Sequence, residues 1–293
     1  MSLVERALQK LQQTSPRVAV PAGSAAEVQV AVQPPPARPV APGPLGQPLA
    51  MNVVALRSAG LLPPQAEEHQ LAQQYRRVKR PLIANAIGRG APRVQGGQLI
   101  MVTSALPGEG KTFTSLNLAL SMSIDKDVHV VLVDADVAKP HISRLLGVSE
   151  SEGLLDALRN AELDMERLIR PTDVPNLAIL PAGTQSSEAT ELLASARMGQ
   201  VTAALAEHDH QRIVVFDSPP LLHTTESHAL AQSMGQVVVV VRAESTAQPV
   251  VLDALKLLEG HRAVSLVLNQ SVKSASTAYY YRYGEGSDAA AER

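Results

Sequence analysis

The stretch Leu99-Ile100-Met101-Val102-Thr103-Ser104-Ala105-Leu106-Pro107-Gly108-Glu109-Gly110-Lys111-Thr112 decides the fold of this chain. It begins as an apolar strand, turns through a glycine-containing loop and ends in the Gly-Lys-Thr that opens a helix. Glycines let backbone N–H groups approach phosphate oxygens, and the first helical turn points its own N–H groups at the same anion. The spacing is that of a P-loop in which Ala105 stands in place of the first glycine. We therefore predict a nucleoside triphosphate site at this loop.

The residues of the loop have separate expected roles. Lys111 can reach the β- and γ-phosphates, and the hydroxyl of Thr112 can bind Mg²⁺. The other residues that we expect to contact the nucleotide are Pro107, Gly108, Glu109, Gly110 and Phe113.

Two further apolar segments end in aspartates. Residues 130–133 are followed by Asp134 and Asp136, and residues 213–216 are followed by Asp217. Each segment alone could be a strand followed by a capping aspartate. Together with the loop, three strand ends converge on one phosphate site, where Mg²⁺ requires hard oxygen ligands. We predict that Thr112, Asp136 and Asp217 form the metal shell.

Composition limits the kind of protein this can be. The 293 residues are 45% hydrophobic, which is enough for one sizeable α/β core with flanking segments. A net charge of −2 gives no electrostatic case for nucleic acid as a principal partner. The chain has no cysteine, and no apolar run approaches the roughly 20 residues that span a bilayer. Since no secretory signal opens it, we expect a cytoplasmic protein without a transmembrane segment.

The N-terminal part predicts a helix followed by a linker. Residues 1–13 predict an amphipathic helix, with Leu3, Ala7 and Leu11 among the residues on its apolar face. So short a helix needs a surface, which could be a partner, this protein's own core or, with weaker support, a membrane. Residues 14–65 predict a disordered, proline-rich linker, because eleven of the 21 prolines lie in the first 64 residues.

Strands and helices alternate through the predicted domain at residues 66–272. The predicted strands are 99–103, 129–134, 177–180, 213–217, 236–242 and 264–268. The predicted helices are 111–123, 140–147, 152–159, 163–170, 188–208, 225–233 and 248–259. This alternation predicts an α/β fold of the P-loop NTPase type, with a mostly parallel twisted sheet, helices on both faces and ligand at the strand C-termini.

Residues 67–88 predict a helix that contains a basic cluster and is interrupted at Pro81. The cluster includes Arg76, Arg77 and Lys79. It could be a solvated face of the helix or a contact between subunits.

Residues 273–293 predict a flexible tail that is rich in tyrosine. Four of the five tyrosines of the chain lie in it, at Tyr279, Tyr280, Tyr281 and Tyr283. Glycines and serines flank the cluster, which favours mobility. The cluster could be a stacking patch, but a mobile tyrosine segment near an ATP site is better explained as a phosphoacceptor.

The motifs resemble the bacterial tyrosine kinases, a family built on a P-loop ATPase domain and unrelated to eukaryotic protein kinases. The matching stretches are 105–112, 131–136 and 213–217 with Ser218-Pro219-Pro220. Shorter agreements lie at 153–158, 180–183, 191–193 and 267–269. The lead-in at 75–82 also agrees, and the resemblance covers roughly residues 68 to 283.

The resemblance implies an ATP- and Mg²⁺-dependent protein-tyrosine autokinase. It implies that Asp134 is the base and that Lys111, Asp136 and Asp217 are the other catalytic residues. Asn269 is expected to contact the adenine. The resemblance also implies self-association through the helix around Arg76 and Lys79, and the tail tyrosines as acceptors. It further implies an activating inner-membrane polysaccharide co-polymerase, or chain-length determinant, which recruits the kinase and links it to exopolysaccharide biosynthesis.

Two features depart from the family pattern. Ala138 stands where a basic residue is usual, with Lys139 next, and Gln73 stands where the oligomerisation helix often has glutamate. The alternative is a partition or cell-division-site ATPase of the same superfamily, which acts as a nucleotide switch. Those proteins have a second lysine early in the P-loop, and none lies between Ala105 and Lys111.

Overall fold

A mostly parallel sheet forms the centre of the protein. The computed structural model describes residues 48–90, 92–207, 209–261 and 263–271. In these residues one seven-stranded sheet has the order β3-β4-β2-β5-β1-β6-β7. The strands are β1 (Leu99–Ser104), β2 (His129–Asp134), β3 (Arg170–Pro171), β4 (Leu177–Leu180), β5 (Arg212–Asp217), β6 (Gln236–Arg242) and β7 (Val264–Asn269). Only the pairing of β3 with β4 is antiparallel.

Helices connect the strands and cover both faces of the sheet. The helices are α1 (Val53–Ser58), α2 (Glu68–Ile87), α3 (Lys111–Ser123), α4 (His141–Leu145), α5 (Leu154–Arg159), α6 (Met165–Leu168), α7 (Ala189–Leu193), α8 (Ala196–Glu207), α9 (Thr225–Gln232) and α10 (Gln248–Lys256). A short 3-10 turn at Gln65–Glu67 precedes α2.

The central strands are apolar without interruption because both of their faces are buried. On one face, Met101 and Phe216 pack with residues of α5, α8, α9 and α10. On the other face, Ile100 and Val215 pack with residues of α2 and α3. Successive side chains of a strand point to opposite faces, so a strand covered on both sides needs apolar residues at every position. The predicted α/β fold with a mostly parallel sheet is confirmed.

The six predicted strands are present within one residue of their predicted bounds, whereas several helices differ. The helix predicted at 188–208 is two helices, α7 and α8, separated at Ala194 and Ser195. The hydroxyl of Ser195 bonds back to the carbonyl of Leu192 at 2.7 Å, which competes with helix continuation. The helix predicted at 163–170 shortens to α6, and the edge strand β3 follows it without having been predicted.

Helix α2 agrees with the predicted bounds 67–88, but it continues through Pro81, so the predicted interruption there is wrong. Pro81 is exposed, and solvent can therefore reach the carbonyl that its missing N–H leaves unpaired. The left-handed Gly88 (φ 73°) caps the helix, and its N–H bonds to Ala84.

The predicted disordered linker at 14–65 is wrong for its last residues. Residues 48–65 contain α1, and Met51, Leu56 and Leu62 of this segment are buried in the core under α2. Leu49 also forms a parallel bridge with Thr172 beside β3. Burial of these apolar side chains outweighs the local proline content. The rest of the linker, the helix predicted at 1–13 and the tyrosine tail lie outside the described residues.

None of the helices in the described part of the chain is both long enough and apolar enough to cross a membrane.

Candidate active site

The P-loop between β1 and α3 adopts a shape that only glycine permits at two positions. Gly108 and Gly110 have φ angles of 81° and 93°, in the left-handed region. A Cβ atom on Gly110 would also lie 2.0 Å from Nδ2 of Asn269. That same nitrogen donates to the carbonyl of Glu109 at 2.9 Å. The strand end of β7 therefore packs directly against the loop.

The buried side chain of Glu109 connects the two ends of the P-loop and links the loop to the segment after β6. Glu109 is only 2% exposed, and its Oε2 accepts the N–H of Leu106 at 2.7 Å. Its Oε1 accepts the hydroxyl of Thr246, which lies in the loop after β6. The carboxylate is thus engaged by the protein, so that a nucleotide contact by Glu109 is left to its backbone. Pro107 and Gly108 lie exposed at the tip of the loop.

Helix α3 directs several polar groups to the end of β5. Lys111 is 8% exposed at the first position of α3. The hydroxyl of Ser115, one turn later, donates to Oδ1 of Asp217 at 3.0 Å. Phe113 is half-buried against the core, and its predicted nucleotide contact stays a prediction.

Two buried carboxylates lie side by side at the ends of neighbouring strands. Asp134 of β2 and Asp217 of β5 are partners in the parallel register, and neither is more than 1% exposed. Oδ2 of Asp134 accepts both the N–H and the hydroxyl of Ser143, each at 2.7 Å. Among the described residues, Oδ1 of Asp134 and Oδ2 of Asp217 have no hydrogen-bond partner. Each aspartate therefore keeps one buried oxygen available to a ligand.

Burial raises the pKa values of Asp134, Asp136 and Asp217. Burial, together with the charge of Asp217, raises the pKa of Asp134 to about 7, against hydrogen bonds from Ser143. Burial raises the pKa of Asp217 to about 6, while the hydroxyls of Thr112 and Ser115 lower it. Burial also raises the pKa of Asp136, which the charge of Lys111 opposes. A nearby cation would lower these pKa values and so favour the ionised carboxylates.

The donor set fits a magnesium ion. A threonine hydroxyl and carboxylates are the oxygen ligands that Mg²⁺ prefers, and the buried Oδ2 of Asp217 has no protein partner in the described residues. Among the described residues, no cluster of three or more histidine, aspartate and glutamate side chains could hold a metal ion without further ligands. A Mg²⁺ ion at Thr112, Asp136 and Asp217 would therefore share its shell with phosphate oxygens and water, as this ion usually does.

One predicted site residue is misassigned. Lys79, predicted to contact another subunit, is only 7% exposed, and its ammonium lies 2.6 Å from the carbonyl of Ser121 and 3.0 Å from Asp125. The prediction that Lys79 forms an intersubunit contact is therefore wrong, because the residue stabilises its own chain. Arg76 is exposed, and its role stays a prediction.

Sequence motifs did not identify Ser143 or Thr246. Ser143 fixes the orientation of Asp134, and Thr246 fixes Glu109. Thr246 lies far from Glu109 in sequence, and Ser143, although it follows Asp134 by only nine residues, belongs to no motif, so a single sequence offers no signal for either. The predicted adenine contact of Asn269 is also untested, although its amide nitrogen is engaged by the P-loop. The tail tyrosines lie outside the described residues.

Comparison with known proteins matches this geometry. Residues 97–273 match the AAA domain family. The chain is 30% identical over 185 residues to the tyrosine-protein kinase Etk of Escherichia coli strain K12, which covers 62% of this chain and 25% of Etk. The chain thus spans about a quarter of the length of that relative. The crystal structure of the VpsO kinase domain is 29% identical, with a TM-score of 0.58, and covers 71% of this chain and 100% of that one.

The comparisons also bear on the alternative class of ATPase. The septum site-determining protein MinD from Pyrococcus horikoshii, complexed with Mg-ADP, is 21% identical, with a TM-score of 0.51. It covers 60% of this chain and 71% of that one, and at this identity it shows a shared fold alone. The resemblance to bacterial tyrosine kinases that the motifs predict is confirmed by both Etk and VpsO.

Proposed function

The chain belongs to the AAA domain family, and from this premise we propose that it is an ATP-dependent protein-tyrosine autokinase of the bacterial type. The observation that carries the proposal is the pair Asp134 and Asp217, adjacent in register and buried beside a P-loop. One carboxylate suffices to help hold a metal–nucleotide complex. The second leaves a buried oxygen for a hydroxyl acceptor.

Positioning and charge neutralisation account for most of the catalysis of phosphoryl transfer. In the proposed reaction the tyrosine oxygen bonds to the γ-phosphorus, the bond from that phosphorus to the β,γ-bridging oxygen breaks, and ADP leaves with that electron pair. Lys111 and the P-loop N–H groups stabilise the negative charge on the phosphates. Thr112, Asp136 and Asp217 would hold Mg²⁺, which supplies further charge neutralisation when bound.

Asp134 is the proposed acceptor of the tyrosine proton. Its pKa of about 7 suits a base that works near neutral pH. The two hydrogen bonds from Ser143 fix Oδ2, which leaves Oδ1 to receive the proton. Ser143 is therefore a positioning residue for the base.

The proposed acceptors are Tyr279, Tyr280, Tyr281 and Tyr283 on a second copy of the chain. Exchange of tails between copies in one assembly raises the effective concentration of the acceptor. The exposed Arg76 is the remaining candidate for the contact between copies.

The proposed setting follows from the resemblance of the motifs to the bacterial tyrosine kinase family. An inner-membrane polysaccharide co-polymerase would activate the kinase and recruit it from the cytoplasm. Phosphorylation of the tail would then regulate the chain length and export of an exopolysaccharide.

A nucleotide switch that never modifies tyrosine is the second candidate, because a P-loop with strand-end aspartates is sufficient to bind and hydrolyse ATP without a tyrosine acceptor. Such a switch would hydrolyse ATP and change its assembly without modifying its own chain.

Intact-mass measurement of the purified full chain with Mg·ATP separates the two candidates. If the chain is a kinase, its mass should increase in steps of one phosphate. The modified sites should map to residues 279–283, and phosphatase should reverse the increase. Lys111→Met should abolish the gain, while Lys126→Met, an exposed lysine at the opposite end of the sheet, should keep it. ATP hydrolysis with an unmodified tail would establish the switch instead.

A further inference from the structure

One face of the edge strand β7 is apolar and open to solvent. Leu266 and Leu268 point to this face and are 54% and 69% exposed. Their partners in the parallel register on β6 are Val239 and Val241, which are only 0% and 7% exposed. The cover that the helices provide on this side of the sheet therefore ends between β6 and β7.

The exposed apolar side chains of the described residues are concentrated around this face. Six large hydrophobic side chains are exposed there in total, and four of them lie on α10, just after it or on β7. These four are Leu252, Leu257, Leu266 and Leu268. Parallel strands are usually covered on both faces, and an apolar patch of this kind marks a surface that binds something.

The first 13 residues of the chain predict a helix that fits this face. Its apolar stripe consists of Leu3, Val4, Ala7, Leu8 and Leu11. Thirteen helical residues extend over about 20 Å, and the six residues of β7 extend over about the same length. A helix this short is marginal in water, so it needs an apolar surface against which to bury its stripe.

The charges of the two surfaces are complementary. A shallow depression of about 470 Å³ on α10, the crossover helix between β6 and β7, has three charged lining residues. These are Asp253, Lys256 and Glu259. The depression thus has an excess of one negative charge. The predicted helix has an excess of one positive charge, because it carries Arg6 and Lys10 against Glu5. Such complementarity favours and orients the contact.

The segment can reach β7 of its own chain. Leu49 lies beside β3, at the other edge of the sheet, six strand intervals or about 29 Å from β7. Thirty-five residues separate Gln13 from Leu49, and a flexible chain of that length has a root-mean-square span of about 30–35 Å. Prolines lengthen such a span. The tether therefore keeps the segment at high effective concentration near β7, which favours the same chain over a second copy.

The C-terminal segment is a poorer occupant, although it begins closer to β7. Within residues 272–293, Val272 is the only aliphatic side chain larger than alanine. That segment therefore has no aliphatic stripe with which to cover two exposed leucines.

We propose that residues 1–13 form a helix whose apolar stripe packs on the open face of β7, beside α10, in the same chain. Docking there also holds the end of β7 in place. Leu268 precedes Asn269, whose side-chain nitrogen donates to the carbonyl of Glu109 in the P-loop at 2.9 Å. The N-terminal helix is thereby coupled to the nucleotide site. This inference goes beyond the proposed kinase function, and its tests require no phosphate transfer.

Cross-linking tests the position of the helix, because the chain has no cysteine of its own. The full chain carries Leu8→Cys together with Leu266→Cys, which joins the middle of the helix to the middle of β7. The control pair is Leu8→Cys with Val54→Cys, at a side chain that is exposed on α1 and closer along the chain. With a short bismaleimide we expect the pair on β7 to cross-link within one chain about tenfold faster than the control pair.

Two cross-linking results would overturn the proposal. Equal rates for the two pairs would show that the helix is not held at β7. Cross-links that join two chains rather than one would assign the face to a second copy.

Hydrogen exchange tests whether the apolar stripe makes the contact. Leu8→Glu places a charge in the stripe and should speed exchange of the β7 amides about tenfold. Gln9→Glu adds the same charge on the opposite face of the predicted helix and should leave exchange unchanged. If β7 exchanges at the same rate in Leu8→Glu as in the unmodified protein, the docking is refuted.

Calorimetry with Mg·ADP tests the coupling to the nucleotide site. Leu8→Glu should weaken binding about threefold relative to Gln9→Glu, because the end of β7 that supports the P-loop is then less firmly held. Equal affinities in these two variants would refute the coupling, even where the cross-links place the helix on β7.

Discussion

The ammonium of Lys79 on α2 lies 2.6 Å from the carbonyl oxygen of Ser121, in the last turn of the P-loop helix α3. Carbonyls in that turn have no partner within their own helix, and a cation there also interacts favourably with the helix dipole. Asp125, at 3.0 Å, completes the charge balance. Helix α2 therefore stabilises the far end of the helix whose beginning forms the candidate nucleotide site.

Lys79→Met should lower the free energy of unfolding by about 1–3 kcal/mol, because Ser121 loses its buried donor while the apolar stem is kept. Urea denaturation measures this loss. Arg80→Met, an exposed cation of the same helix, is the control and should change stability by less than about 0.5 kcal/mol. Light scattering should show an unchanged assembly for Lys79→Met. A smaller assembly of unchanged stability would restore the subunit-contact hypothesis.

Nucleotide affinity should depend on Mg²⁺ through the carboxylates at the strand ends. Calorimetry with ADP should show tighter binding with Mg²⁺ than with EDTA, because the ion offsets repulsion between phosphates and Asp217. Asp217→Asn should lose most of that difference. Asp253→Asn, an exposed aspartate on α10, should keep it. Equal affinities under all these conditions would refute the predicted metal shell.

The stability of the metal-free protein should fall as the pH rises through the pKa of Asp134. This pKa is raised from 3.8 to about 7 in the folded state, so the carboxyl favours folding below pH 4. The advantage is lost progressively up to about pH 7, and it amounts to something on the order of 4 kcal/mol. Asp134→Asn should remove this loss, and the variant should exceed the unmodified protein in stability by more at pH 8 than at pH 5. If the stability difference between Asp134→Asn and the unmodified protein, measured in EDTA, is the same at pH 5 and pH 8, the titration of Asp134 is not the cause.

The carboxylate of Glu109 should determine how well the P-loop is formed before nucleotide binds. Glu109→Ala leaves the N–H of Leu106 without its acceptor, and we expect roughly tenfold weaker Mg·ADP binding by calorimetry. Glu109→Gln keeps one acceptor oxygen and should be affected less. An alanine variant with unchanged affinity would show that the loop holds its shape without this contact.

The sequence was sufficient for six of the seven strands and for the P-loop, because these depend on local patterns. Unbroken β-branched runs such as residues 237–241 predict central strands, and glycine spacing predicts the loop. The burial of Lys79 could also have been predicted from the sequence. Tyr75, Lys79, Leu82 and Ala86 recur at helical spacing and are all buried, so Lys79 lies on the apolar stripe of α2.

Other parts of the site could not be predicted in this way. The burial of residues 48–65 depends on packing against segments that are distant in sequence, and the contact of Ser143 with Asp134 depends on how α4 packs against the end of β2. Proline content suggested the opposite for the first, and a lone serine gives no signal for the second.

The contact between Asn269 and the P-loop also sets a length scale. Asn269 is the last residue of β7, and Tyr279 follows it by ten positions. An extended chain spans at most about 3.6 Å per residue, so Tyr279 cannot lie farther than about 36 Å from the loop that its own strand supports. Because the spacer is ten residues long, a second copy can receive this tyrosine only if its candidate active site lies within about 36 Å of Asn269.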